Sequence, residues 1–272
     1  MGELYRSLAR YYDVIYRARL ERISQEIGFV ERIFRNDARR EVRRVLDIAC
    51  GTGAPTLELV RRGYEVVGLD INEEMLTVAR GKAQREELSV EFMLGDAAAL
   101  DFQEEFDAVT MLFSSILYFD EDRINELFNS VIKALRTEGV FVADWSNLLF
   151  YRDEGPDVRE EREGNEIVVT TTWREFENAS QRLHLKHLVQ IIHPDGEVKA
   201  FFTHENLNVY TAREMRLLAE KHFDEVRIYG DFQRASGECV ETLARWNQRP
   251  SSLNASISLS FSSLFLTLKR TY

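Results

Sequence analysis

An aspartate near the end of a short apolar strand, a loop with two glycines and a second aspartate closing the next strand form the arrangement in this chain with the clearest chemical content. The residues are Val45-Leu46-Asp47-Ile48, the loop Ala49-Cys50-Gly51-Thr52-Gly53, and Asp70. Gly51 and Gly53 let the main chain turn sharply and lie bare against a ligand where a Cβ would collide. Pro55 suits the first turn of the helix that follows. Asp70 stands 19 residues after Gly51, close to the roughly 20 at which an acid meets a pair of ribose hydroxyls. The pattern predicts a pocket for an adenosine-bearing cofactor, shared between two strand ends.

The flanking elements must hold those residues in place. Leu20, Ile23, Ile27, Val30 and Phe34 recur at helical spacing, which predicts an amphipathic helix from about Arg19 to Arg35, with an earlier helix over Leu4 to Tyr16. Strand-like and helix-like segments then alternate: Arg44 to Ile48, a helix from Pro55, Glu65 to Leu69, a helix from Asn72 to about Arg85, and Ser89 to Leu94. The alternation continues with Phe106 to Phe113, a helix from about Asp122 to Leu135, and Gly139 to Trp145. This is the rhythm of a parallel sheet with crossover helices. After Trp145 come three long β-prone runs, Glu166 to Glu175, Arg182 to His193 and Glu197 to His204, with a turn at Pro194-Asp195-Gly196. They predict an antiparallel sheet inserted over roughly 150–208. Thr211 with Glu214 opens another helix through a capping box. Glu225 to Tyr229 reads as a strand, and a long loop from about Gln233 leads to a last strand at Leu264 to Lys269.

Composition excludes several classes. A formal charge of -11 and a pI near 5.1 argue against a surface that neutralises phosphates, so no nucleic-acid partner is expected. Two cysteines, Cys50 and Cys239, in 272 residues fit neither a disulfide scaffold nor a structural zinc site, and point to a reducing cytoplasm. The N-terminus lacks a signal peptide's apolar stretch and no run is long enough to span a membrane. His184 and His187 point to opposite faces of a strand, so no metal is expected there. His204, at the end of the insertion, is a candidate base, and Trp145 and Trp173 are either substrate wall or packing.

The glycine loop separates two cofactors. A dinucleotide would want a third glycine at position 56, near where its pyrophosphate meets the helix N-terminus, and the chain has Thr56. S-adenosylmethionine carries no phosphate, and Asp47 suits its cationic amino group, directly or through water. Asp47-Ile-Ala-Cys-Gly-Thr-Gly resembles the first motif of the class I S-adenosylmethionine-dependent methyltransferases. Asp70 matches the acid that holds the ribose, Gly95-Asp96-Ala97 resembles the segment that reads the adenine edge, and Phe106-Asp107-Ala108-Val109 has the family's form entering strand four. The resemblance covers about residues 40–145. It implies that Ala49 and Gly51 border the methionine portion, Ile71 packs on the adenine and Met75 completes that wall. It also implies that Asp96 accepts from the exocyclic amine, the Ala97 N–H meets a ring nitrogen, and the Leu112 carbonyl faces the cofactor's ammonium.

Phe113-Ser114-Ser115-Ile116-Leu117-Tyr118 resembles the equivalent stretch of small-molecule methyltransferases, including the sugar-amine N-methyltransferases, which often have His where this chain has Tyr118. Tyr118 is the candidate for orienting a substrate, by its hydroxyl or its ring face. The Asn/Asp-Pro-Pro-aromatic motif of amino-methylating nucleic-acid enzymes is missing there. Tyr11-Tyr12-Asp13-Val14-Ile15-Tyr16 resembles the leading helices that fold over the cofactor, with Tyr12 the expected contact.

The expectation is therefore an α/β protein: a Rossmann-like, seven-stranded class I methyltransferase sheet with an inserted antiparallel β-sheet lid. Residues 1–36 would cover the cofactor site, 37–149 form the core, 150–208 the lid, and 209–272 the return to the core. The function expected is methyl transfer from S-adenosylmethionine to N or O of a small molecule, leaving S-adenosylhomocysteine. A non-catalytic cofactor-binding module and an NAD-linked oxidoreductase are the alternatives.

Overall fold

The computed structural model describes residues 7–146, 154–230 and 263–269. Its main sheet has strands β1 (Arg44–Ile48), β2 (Glu65–Asp70), β3 (Glu91–Leu94), β4 (Phe106–Met111), β5 (Leu135–Ser146), β10 (Glu225–Tyr229) and β11 (Ser263–Lys269). Their order across the sheet is β10-β11-β5-β4-β1-β2-β3. Strands β1 to β5 pair in parallel, and β11 runs antiparallel to both β5 and β10. The expected seven-stranded mixed sheet is the one observed.

The central strands read as unbroken apolar runs because both faces of the sheet are covered. Successive residues go to opposite layers: Val45, Ala108, Val140 and Val142 pack with Ile27, Val30 and Phe34 of α1 (Ile23–Asp37). Leu46, Val109, Phe141 and Ala143 pack with Ile124, Leu127 and Val131 of α4 (Glu121–Ala134). Between β1 and β2 lies α2 (Ala54–Arg61), and between β2 and β3 lies α3 (Glu73–Arg85). Helix starts follow local chemistry, since Asn72 caps α3, Asp120 caps α4, and Thr211 with Glu214 forms the expected capping box on α5 (Ala212–Ala219).

Between β5 and α5 the chain builds a separate antiparallel sheet in the order β6-β7-β8-β9. Its strands are β6 (Glu154–Glu163), β7 (Glu166–Glu177), β8 (Arg182–Ile192) and β9 (Val198–Asn208). The turn at Pro194-Asp195-Gly196 joins β8 to β9, with Gly196 at φ 88. Sequence reading missed β6, whose Glu-Gly-Pro-Asp-Val-Arg-Glu-Glu-Arg-Glu carries the charges that suit an edge strand.

A second correction concerns the N-terminal segment. In place of one helix over Leu4 to Tyr16, the described part is a set of short turns, Ala9–Tyr11, Tyr12–Ile15 and Arg17–Leu20, and α1 begins only at Ile23. The breaks fall at Tyr16 and Arg22, both near φ -100 without a side-chain cap. Leu8, Tyr11 and Val14 pack on the second sheet, while Tyr12 and Leu20 face the cavity described below. The long loop expected from Gln233 lies outside the described residues, as does Cys239.

Candidate functional site

A cavity of about 400 Å³ opens at the carboxyl ends of β1, β2, β3 and β4, where ligands sit in open parallel sheets. Its wall carries Ala49, Gly51 and Asp47 from β1 and its loop, Asp70 and Ile71 from the end of β2, and Met75 from the first turn of α3. Asp96 and Ala97 follow β3, Leu112 and Tyr118 follow β4, and Tyr12 closes from the N-terminal turns. Tyr118 and every residue expected to bind the cofactor except Gly53 are on that wall.

Gly53 stands behind it, at φ +78 as the N-cap of α2, and a Cβ there would meet the Ala79 Cβ at 3.0 Å and the Phe92 ring at 3.1 Å. Its requirement is for tight packing of loop, helix and β3. Ala49 and Gly51 take the left-handed turn at φ 54 and 56, which a non-glycine residue such as Ala49 adopts at some cost.

Loop and strand end are locked together by Asp70. Its Oδ2 accepts the Gly51 N–H at 2.8 Å and its Oδ1 the Asn72 N–H at 2.9 Å. Burial pushes the Asp70 carboxyl above its ordinary value, opposed by those N–H groups. Asp47 is 1% exposed, and accepts the hydroxyls of Thr56 at 2.6 Å and Thr110 at 2.8 Å. Burial raises its carboxyl to about 6 against the pull of those two hydroxyls. Thr56, whose identity disfavoured a dinucleotide, is thus a partner of Asp47.

Asp96 accepts the Ala98 N–H at 2.9 Å and is gripped by Arg123 of α4 at 2.6 Å. Ile71 is 49% exposed while Met75 is buried. The Leu112 carbonyl accepts the Ser115 hydroxyl at 2.8 Å, and Phe113 and Ser114 beyond it are both left-handed, at φ 64 and 58. Tyr118, 39% exposed, donates its hydroxyl to Glu205 of β9 at 2.8 Å.

Two ion-pair clusters tie the N-terminal turns over the cavity. Asp13 accepts from Lys82 Nζ at 2.7 Å and from the Thr52 hydroxyl at 2.5 Å. Arg19 bonds buried Asp144 at 2.9 Å and Glu26 at 3.0 Å, and lies 4.0 Å from the Phe113 ring centre. Asp144 also accepts the Ser114 N–H at 3.1 Å, so the left-handed turn and the cover share one carboxylate.

Arg19, Arg123, Asp144 and Glu205 escaped sequence reading. Only Glu205 left a signal, an acid at an inward position of β9, where Thr203, Glu205 and Leu207 are buried and the residues between them exposed. The candidate base His204 therefore points to solvent, on the face opposite Glu205. Trp145 is fully buried and donates its indole N–H to the Tyr210 carbonyl at 3.1 Å, which makes it packing. Burial holds the Cys50 thiol well above its ordinary value and so unreactive. Among the described residues no cluster of His, Cys, Asp and Glu has the form of a metal site, and no helix is long and apolar enough to cross a membrane.

The wall fits S-adenosylmethionine better than a dinucleotide. Among the described residues its charged side chains are the carboxylates Asp47, Asp70 and Asp96 and the cation Arg123, itself paired with Asp96. That set repels a pyrophosphate, attracts ammonium and sulfonium charge, and offers acceptors to hydroxyls.

Comparison with known proteins agrees. Residues 45–139 match the methyltransferase domain family. The chain is 30% identical over 202 residues to the glycine/sarcosine N-methyltransferase of Aphanothece halophytica, covering 70% of each chain. For two other relatives the shared part is about half of their length, 56% for a Geobacillus sp. (strain WCH70) protein and 46% for the demethylmenaquinone methyltransferase of Deinococcus radiodurans. In fold, it resembles Streptomyces venezuelae DesVI (TM-score 0.74, 19% identity, 96% of this chain and 97% of that one). It likewise resembles the sugar N-methyltransferase KedS8 from Streptoalloteichus (TM-score 0.72, 20% identity, 95% and 92%). The loop that joins β1 to α2, the acid that closes β2 and these likenesses lead to one assignment: the chain belongs to the class I S-adenosylmethionine-dependent methyltransferases.

Proposed function

We propose that this protein transfers a methyl group from S-adenosylmethionine to a nitrogen or oxygen of a small molecule. The observation that carries the reading is the bond between the Gly51 N–H and the Asp70 carboxylate, which aligns two strand ends around one cavity. In this reading Asp70 accepts from the ribose hydroxyls, Asp47 and the Leu112 carbonyl face the ammonium, and Ala49 and Gly51 border the methionine portion. Asp96 and the Ala97 N–H read the adenine edge between Ile71 and Met75, and Tyr12 covers the cofactor.

The bound cofactor supplies a methyl group on a sulfonium, an excellent leaving group. The chain's own task is then to align the acceptor and exclude water, which supply much of the rate in such a displacement. The N-terminal turns and the sheet over 154–208 cover the acceptor side, and Tyr118 orients the acceptor. A net charge of -11 supports a small acceptor over a nucleic acid.

Calorimetry with S-adenosylhomocysteine and with NAD tests the cofactor. Isotope-labelled S-adenosylmethionine incubated with a metabolite extract, followed by mass spectrometry, tests the transfer. Tight binding of NAD without S-adenosylhomocysteine would overturn the reading, and so would a bound cofactor with no labelled product.

A further inference from the structure

The second sheet turns one face toward the molecule, and that face is not uniformly apolar. Val168, Val189 and Ile191 meet Leu8, Tyr11 and Val14 in one cluster, while Leu183 and Leu207 join the main core. Between these clusters runs a buried polar row, Thr172 on β7, His187 on β8 and Thr203 on β9, neighbours in register, with Glu205 two residues on along β9. Buried polar groups are ordinarily hydrogen-bonded, because leaving one unpaired away from water is costly. Thr172 and His187 Nδ1 satisfy each other at 3.0 Å. His187 Nε2 and Thr203 Oγ1 are buried without a hydrogen-bond partner among the described residues.

Glu205, 5% exposed, joins this row to the cavity. Its Oε2 lies 3.6 Å from His187 Nε2, and its Oε1 accepts the hydroxyl of Tyr118 at 2.8 Å. Tyr118 is on the cavity wall, close to Leu112 and Ser115. A buried carboxylate is thus coupled to the site through the Tyr118 hydroxyl.

We propose that Tyr118 and Glu205 seat the reacting group of the acceptor, that this group is an aliphatic amine arriving as its ammonium, and that its proton passes to Glu205 through the Tyr118 hydroxyl. The inference rests on the methyl transfer proposed above and names its substrate class. The ammonium gives one proton to Tyr118 Oη as the proton already there moves to Glu205 Oε1. The amine gains a free lone pair, Tyr118 ends unchanged, and Glu205 becomes a neutral acid that later releases the proton to water. An amine fits this seat better than an aliphatic hydroxyl on two counts. A positive acceptor complements a carboxylate shielded from water. An aliphatic ammonium, which ordinarily titrates near 10.4, leaves fewer than about one molecule in a thousand with a lone pair at pH 7, so a relay that removes its proton ahead of the attack serves it, whereas a hydroxyl gives up its proton only as the new bond forms.

Among the described residues, the charged and titratable groups around Glu205 include Tyr118 from the turn after β4, His187 from β8, and Tyr12 and Tyr16 from the N-terminal turns, with Arg19 beside the last two and Arg159 of β6 acting on Tyr16. Burial and the Glu205 charge keep the Tyr12 and Tyr16 hydroxyls protonated, so neither competes for the proton.

The test uses the full chain, labelled S-adenosylmethionine, a metabolite extract and fragmentation mass spectrometry to locate the methyl group. The expected products are N-methylated. Glu205→Gln and Tyr118→Phe should lower turnover on the same product about 100-fold or more at pH 7, with calorimetric affinity for S-adenosylhomocysteine kept within about threefold. Glu205→Asp should retain more turnover than Glu205→Gln. Turnover by Glu205→Gln should climb roughly tenfold per pH unit from 7 to 9, as free amine accumulates, while the unaltered chain stays flat; a packing role would produce no such rescue. An O- or C-methylated product, or a Glu205→Gln variant that keeps its turnover or lacks the pH rise, overturns the amine seat and leaves the methyl transfer standing. No labelled product with S-adenosylhomocysteine bound refutes the transfer, and the seat with it.

Discussion

In the proposed binding mode, Asp47 should make cofactor binding sensitive to pH in a direction fixed by its surroundings. Its carboxyl is raised to about 6 because burial outweighs the two hydroxyl donors, Thr56 and Thr110. The sign for the free chain follows from linkage. Between the ordinary value of 3.8 and about 6 the folded chain holds more protons than the unfolded one, so this group makes the free chain less stable as pH rises through that window. A cofactor whose ammonium needs the ionised carboxylate behaves oppositely, gaining affinity as pH rises. With a value of about 6, Asp47 is roughly nine-tenths ionised at pH 7 and one-tenth at pH 5, so affinity for S-adenosylhomocysteine should fall about tenfold, or ~1.4 kcal/mol. Calorimetric titrations at pH 5, 6 and 7 measure this, and Asp47→Asn should bind more weakly at pH 7 and lose most of the pH dependence. Affinity that stays flat from pH 5 to 7, or a slope that persists unchanged in Asp47→Asn, would refute the reasoning.

Other substitutions separate packing from binding. Gly53→Ala forces a side chain into a left-handed turn against Ala79 and Phe92 and should cost on the order of 1–3 kcal/mol in urea denaturation; an unshifted midpoint would contradict the crowding. Arg19→Met leaves buried Glu26 and Asp144 without their guanidinium and should destabilise the chain by about 3 kcal/mol or more, read as a clear fall in Tm. Arg123→Ala releases Asp96 from a half-exposed pair worth about 1 kcal/mol or less. It should weaken S-adenosylhomocysteine binding a fewfold with Tm nearly unchanged, and an unaltered Kd would remove Arg123 from the account of the site.

What the sequence discloses is set by how locally each feature is encoded. The β1 loop, Asp70 and the Asn72, Asp120 and Thr211 caps rest on neighbouring residues, so they read directly. The buried parallel strands are legible because both faces need apolar side chains. Edge strand β6 is not, since its one neighbour and its solvent-facing charges blur the alternation. The ion pairs of Arg19 with Asp144 and Arg123 with Asp96 join residues far apart in the chain, and nothing in either local segment announces its partner. Glu205 is intermediate: the period-two alternation along β9 separates it from the adjacent His204, whose residue type alone suggests a base while its facing is toward solvent.

That adjacency on β9 has a consequence for how the protein can change. Because side chains alternate along a strand, a single-residue slip of β9 against β8 would turn Glu205 out and His204 in. One inserted or deleted residue in the Pro194-Asp195-Gly196 turn could thereby exchange a carboxylate for an imidazole over the cavity, leaving the cofactor loop between β1 and α2 untouched. In the proposed seat one of the two acceptor groups, Glu205, is carried by the second sheet while the donor loop belongs to the main one, so the sheet over 154–208 is where new acceptors can be tried with the donor loop left in place.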